Sequence, residues 1–185
     1  MPLIFITGPV RSGKSRFAER LARDRGGDVV FVATSQPDPN DAEWTERIAR
    51  HAARRPAHWR LVETARDGAP SLAEVARDAD AAQTLIVGSV GTWLAARMAP
   101  GVDPAALEAE AQIVVDALLA TRAHAIVVGE EAGWGIVPEY PAGRVFRDLL
   151  GRAQQRLATG SNATYLVVAG FALDLNVAGR PIDRA

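Results

Sequence analysis

The chain has 185 residues, a formal net charge of -1, 48% hydrophobic and 23% charged residues, and no cysteine. That length suits one α/β core rather than two domains, and the charge balance excludes a disordered chain and a generally basic nucleic-acid surface. Without thiols there are no disulfides or thiolate metal sites, and no apolar run approaches the roughly 20 residues that span a bilayer, so the chain reads as a single cytoplasmic domain with no membrane span.

Leu3 to Thr7 is an apolar β-type run. No basic segment precedes it, so it is read as a strand and not as a signal peptide. It leads directly into Gly8-Pro9-Val10-Arg11-Ser12-Gly13-Lys14-Ser15. From Lys14 to Arg25 the spacing is helical, with Phe17, Ala18, Leu21 and Ala22 on one face and Gly26-Gly27 as the stop. Strand, glycine loop and helix in this order make a phosphate cradle. The glycines let several backbone N–H groups turn toward one anion, and the helix N-terminus adds partial positive charge. Lys14 reaches the β- and γ-phosphates, and the Ser15 hydroxyl ligates Mg²⁺. Of the 21 lysines and arginines, Lys14 is the only lysine, and it stands in the one slot where this chemistry calls for an ammonium group. The cradle implies a nucleoside triphosphate and leaves phosphoryl transfer, nucleotidyl transfer and hydrolysis open.

Val29 to Ala33 is a second buried strand ending at Thr34-Ser35. Asp41 caps a helix from about Ala42 into the stretch Arg47 to Arg55, Pro56 ends it, and Trp59 to Glu63 is a short extended segment. On that helix His51 has Arg47, Arg50, Arg54 and Arg55 around it at spacings that share a face. A neutral imidazole is a competent nucleophile toward phosphorus, although a solvated basic helix gives the same pattern. Ser71 to Ala79 is a helix capped by Ser71, Thr84 to Gly88 a third strand, and Thr92 to Met98 a helical stretch. Pro104 to Arg122 is a long helix with Ile113, Val114, Ala117 and Leu118 facing inward. A strand from Ala125 to Val128, a loop from Gly129 to Gly135, a helix from about Pro141 to Leu157 and a strand from Thr164 to Val168 follow. Residues after about Asn176 read as a tail.

Apolar strands without polar alternation, separated by helices, predict an α/β P-loop NTPase fold with a mainly parallel sheet and helices on both faces. Ligands in such sheets bind beyond the carboxyl ends of the strands. That rim receives the glycine loop, Thr34-Ser35, Gly88-Ser89 and Gly129-Glu130-Glu131. A P-loop enzyme also needs an acid at a neighbouring strand end to hold Mg²⁺. Gly88 supplies none, so Glu131 is the expected partner of Ser15 at the metal.

These residues, taken with Arg55-Pro56-Ala57-His58-Trp59-Arg60 and Glu63, resemble the bifunctional adenosylcobinamide kinase/adenosylcobinamide-phosphate guanylyltransferase family of cobalamin assembly. Gly135-Ile136-Val137-Pro138-Glu139, Phe146-Arg147-Asp148, Gly151 and Gln155-Arg156-Leu157-Ala158 extend the likeness to nearly the whole chain. The resemblance implies that ATP or GTP phosphorylates adenosylcobinamide, and that GTP then gives GMP to a histidine matching His51 and on to the cobinamide phosphate. It implies catalytic roles for His51 and Lys14, with Arg54 or Arg55 offsetting charge on departing pyrophosphate. Thr34, Ser35 and Glu63 are further candidates beside the nucleotide or substrate, and the assembly is expected to be a homotrimer. The chain departs from the family pattern at Gly88, where members carry an acid, at Glu130, where asparagine is usual, and at Gln154.

Overall fold

The computed structural model describes residues 2–182. The strands are β1 (Leu3–Thr7), β2 (Asp28–Ala33), β3 (Arg60–Glu63), β4 (Gln83–Val87), β5 (His124–Val128), β6 (Ala163–Val168) and β7 (Phe171–Asp174). The helices are α1 (Lys14–Arg25), α2 (Ala42–Arg54), α3 (Leu72–Asp78), α4 (Val90–Arg97), α5 (Pro104–Ala120), α6 (Pro141–Gly160) and α7 (Leu175–Ala178). They build one sheet in the order β3-β2-β4-β5-β1-β6-β7, parallel throughout except for the antiparallel β6–β7 pair. The expected P-loop α/β architecture is therefore what the chain adopts.

Neighbouring residues along each central strand feed opposite cores, as the two-residue period of a strand requires. Leu85, Val87, Ala125 and Val127 pack with Leu72, Leu94, Leu107, Leu118 and Leu150 of α3 to α6, while Ile86, Ile126 and Val128 pack with Ala18 and Ala22 of α1. One face thus carries four helices and the other chiefly α1. The helix starts follow local chemistry: Asp41 accepts from the Trp44 N–H, and Ser71 and Glu74 form a reciprocal capping box.

Three details differ from the sequence reading. Ile113 is half exposed rather than inward, because α5 turns Leu107, Ala111, Val114, Val115 and Leu118 to the core. The hairpin strand β7 was not anticipated: Ala169 and Gly170, both at positive φ, reverse the chain, and Phe171 and Leu173 stay largely exposed, so no buried apolar run marks the strand. Past Asn176 the chain continues as helix to Ala178, and the Asn176 side-chain oxygen accepts from the Thr164 N–H at 2.7 Å, tying this segment to β6. The last three residues of the expected tail lie outside the described residues.

Candidate active site

β1 ends at Thr7 and the backbone turns at once. Gly8 has φ 148° and Gly13 φ 106°. A Cβ at Gly8 would lie 2.1 Å from the Val167 carbonyl oxygen, so no side chain fits there. Gly13 precedes α1 without any side-chain cap, which leaves the first N–H groups of the helix free for a ligand. The loop is braced from outside: the Gly170 N–H donates to the Ser12 carbonyl at 2.9 Å. Lys14 Nζ donates to the Pro9 carbonyl at 2.9 Å and is 8% exposed. Burial lowers its pKa, opposed mainly by the charge of Glu130. The buried Ser12 hydroxyl has no hydrogen-bond partner. An orphan hydroxyl beside open helix N–H groups and a buried ammonium fits a phosphate group.

Beside the cradle, the segment after β5 is held by three contacts. The Glu131 N–H donates to the Gly8 carbonyl at 3.0 Å, and Thr7 Oγ1 donates to Glu131 Oε1 at 2.7 Å. Gln154, reaching over from α6, donates through Nε2 to the Glu130 carbonyl at 2.9 Å. Glu130 itself turns the other way, and its Oε2 accepts from the Gly91 N–H in the first turn of α4 at 2.9 Å. Burial raises its pKa, against bonds from Ser89 and the Gly91 N–H and the positive charges of Lys14 and Arg47. At Gly88 a Cβ would meet the Phe31 ring and the Val32 carbonyl, each at 3.1 Å.

Thr34 is drawn into the structure. Its hydroxyl lies 2.7 Å from the Ser89 carbonyl and 2.7 Å from the Thr92 hydroxyl, joining the end of β2 to the start of α4. Ser35 is half-buried on the wall of the cleft.

α2 forms the opposite wall and has no fully buried residue. His51 sits in its last turn, half-buried, with Nδ1 3.3 Å from Arg54 Nη2. Burial lowers its pKa first, and the charges of Arg54, Arg47, Arg55 and Arg50 add to that. Arg54 in turn reaches Glu19 of α1 at 3.3 Å. The Glu19 carboxylate is 3% exposed and also holds Arg23. Arg55 stacks over the Phe31 ring, 4.4 Å from its centroid, and Glu63 at the end of β3 pairs with Arg66 at 3.1 Å.

Val10 to Ser15 of the glycine loop, Ser35, His51, Arg54, Arg55, Glu63, Glu130 and Glu131 line one cleft of about 760 Å³. Among the described residues no three His, Cys, Asp or Glu side chains converge on a ready-made metal cage.

The sequence profile of the family "Cobinamide kinase / cobinamide phosphate guanyltransferase" matches residues 4–175. The chain belongs to this family. A bifunctional adenosylcobalamin biosynthesis protein, CobP, of Pseudomonas aeruginosa is 36% identical over 96% of this chain and 98% of its own length. The corresponding CobU protein of Salmonella typhimurium is 37% identical, covering 94% and 99%. Among solved structures, the RadB recombinase overlays with a TM-score of 0.47 at 16% identity, covering 89% of this chain and 73% of that one. The protein is therefore a member of an enzyme family whose name joins a kinase to a guanyltransferase.

Three side chains of this cobinamide kinase/guanyltransferase family member escaped the reading of the sequence as site components: Thr7, Glu19 and Gln154. Glu19 left one signal, a carboxylate between Ala18 and Ala22 on the apolar face of α1. Gln154 stood out only as a departure from the family pattern and Thr7 only as the end of the first strand, because their roles arise when β1 and α6 meet at the end of β5.

Proposed function

We propose that the protein phosphorylates adenosylcobinamide with ATP or GTP and then transfers GMP from GTP to adenosylcobinamide phosphate, with the guanylyl group carried on His51. The observation that carries this reading is that a half-buried imidazole with a lowered pKa stands across one cleft from the phosphate cradle.

In the first half of guanylyl transfer, a neutral His51 nitrogen attacks the α-phosphorus of GTP. The bond from that phosphorus to the β-phosphate oxygen breaks, and pyrophosphate leaves. The ring then carries a positive charge and releases its remaining N–H proton to solvent. In the second half, a phosphate oxygen of adenosylcobinamide phosphate attacks the same phosphorus, the free ring nitrogen takes a proton back from solvent, and the P–N bond breaks to restore the neutral imidazole. Lys14 and the loop N–H groups hold the β- and γ-phosphates, and Arg54 and Arg55 offset the charge that builds on pyrophosphate. Mg²⁺ bound with the nucleotide neutralises phosphate charge, with the Ser15 hydroxyl and a carboxylate of the Glu130–Glu131 pair as its protein partners. Ser35 and Glu63 line the part of the cleft left for nucleoside or cobinamide. The resemblance of the motifs also supports a homotrimer, and the cysteine-free composition a cytoplasmic enzyme.

Incubation with GTP labelled at the α-phosphate tests this. The expected result is an acid-labile, alkali-stable protein adduct that is absent in His51→Ala and discharged by adenosylcobinamide phosphate. Turnover of GTP with no adduct in the wild type would remove the transferase half of the proposal.

A further inference from the structure

P-loop enzymes balance the charge of the nucleotide-bound metal with an acid at the end of a strand beside the P-loop strand, and here the end of β4 is Gly88. A Cβ at Gly88 would press on the Phe31 ring edge at 3.1 Å, and that ring is itself covered by Arg55. One strand nearer to β1, Glu130 follows β5 and sends its carboxylate back across the end of β4 to the start of α4. Gly91 makes that path possible, because a Cβ at Gly91 would lie 2.4 Å from Glu130 Oε2. The two glycines thus have different surroundings: one is crowded by an aromatic ring, the other is faced by a carboxylate from the segment after β5. Gln154 holds the Glu130 main chain from α6 and Thr7 holds Glu131 away from it, so the adjacent carboxylates point to different partners.

We propose that Glu130 supplies the acidic group for the nucleotide-bound Mg²⁺, reaching from the end of β5 over the start of α4, while Glu131 braces Thr7. The inference rests on the nucleotide site described above. Glu130 lines the same cleft as Lys14 and Ser15, and its carboxylate takes bonds from the Gly91 N–H and the Ser89 side chain, two of the roughly four lone-pair sites such a group offers. A hard divalent cation takes such a site directly or through one of its waters.

The test measures binding of a non-hydrolysable GTP analogue with and without Mg²⁺, and binding of Mn²⁺ to the protein–analogue complex by electron paramagnetic resonance. Glu130→Gln keeps an acceptor for the Gly91 N–H and removes the charge. In this variant, the gain in analogue affinity on adding metal should fall by roughly tenfold, the worth of one charged contact, with a matching loss of Mn²⁺ affinity. Affinity without metal should hold or improve, because a negative charge near the phosphates is gone. Glu131→Gln should keep most of the metal-dependent gain. Gly91→Ala tests the idea without touching either carboxylate: its methyl group displaces Glu130, and the same metal-dependent loss is expected. An undiminished gain in Glu130→Gln or in Gly91→Ala overturns the proposal. A wild-type protein that binds no analogue overturns the nucleotide reading itself, which separates the two failures.

Discussion

Nδ1 of His51 lies 3.3 Å from Nη2 of Arg54, in a contact to which only the arginine can bring a proton. A guanidinium has no lone pair to offer, so Nδ1 accepts and the neutral ring keeps its proton on Nε2. In the proposed transfer the attacking lone pair would thus be the one that Arg54 covers, and incoming phosphates competing for the guanidinium would uncover it. Arg54 is also the largest of the arginine charges that lower the His51 pKa. A lowered pKa keeps the ring neutral as pH falls, so labelling by GTP in the wild type should persist to a pH below the ordinary 6.5 midpoint of imidazole. In Arg54→Ala the midpoint should rise toward 6.5. A pH series of initial labelling rates checks this, and a midpoint that stays put or falls contradicts it.

Gly8→Ala should be the most damaging single methyl group in the cleft. It places a Cβ 2.1 Å from a backbone oxygen of β6, at a φ that L-residues rarely adopt. The two nearest atoms both belong to the Val167 backbone, so the loop must move. Chemical denaturation should report a loss of at least about 2 kcal/mol, and analogue binding should vanish.

Thr34→Val separates a structural hydroxyl from a binding one. The hydroxyl is engaged with Ser89 and Thr92. Its removal leaves a buried carbonyl short of a donor and should cost about 1–2 kcal/mol of stability. GTP-analogue affinity in the folded variant should stay within about threefold of wild type, under 1 kcal/mol. A large affinity loss with unchanged stability would move Thr34 back among the ligand contacts.

Acid sensitivity should originate partly at His124. Burial lowers its pKa, with Arg25 adding to the effect, and its Nδ1 is buried without a partner. The unfolded chain then binds the proton more readily than the folded one, so stability rises with pH. It is fully present above about pH 6.5, the unfolded value, and is lost as pH falls through the folded one. His51 has the same sign. Denaturation midpoints at pH 7.5 and 5 should differ less in His124→Leu than in the wild type, and equal losses in both proteins would refute this origin.

The phosphate cradle was legible because its demands are local: two glycines, a lysine and a hydroxyl within one turn of chain after a buried strand. The sheet was legible for a related reason, since uninterrupted apolar runs such as Leu85-Ile86-Val87 belong in a doubly covered parallel core. β7 was not, because an exposed edge strand built on Phe171, Ala172 and Leu173 needs no buried pattern. Ile113 was misplaced because an alanine-rich helix such as α5 offers several apolar stripes, and only packing chooses among them. In the site, His51 stood out by its arginine neighbours, whereas the different directions taken by Glu130 and Glu131 depend on Gly91 and Thr7, which lie far from them in sequence. Adjacent residues after a strand end have no periodicity from which orientation can be read.

Lys14 carries the only side-chain amine in the sequence, and it sits in the cleft with burial favouring its neutral, nucleophilic form. Amine-directed acylation of this protein therefore has a single side-chain target, located where a γ-phosphate would sit. Peptide-level mass spectrometry after brief acylation becomes an occupancy gauge: each ligand that fills the cradle shields the amine, and the fraction of Lys14 left unmodified, read apart from the α-amino group, reports how much of the protein is bound without any engineered label.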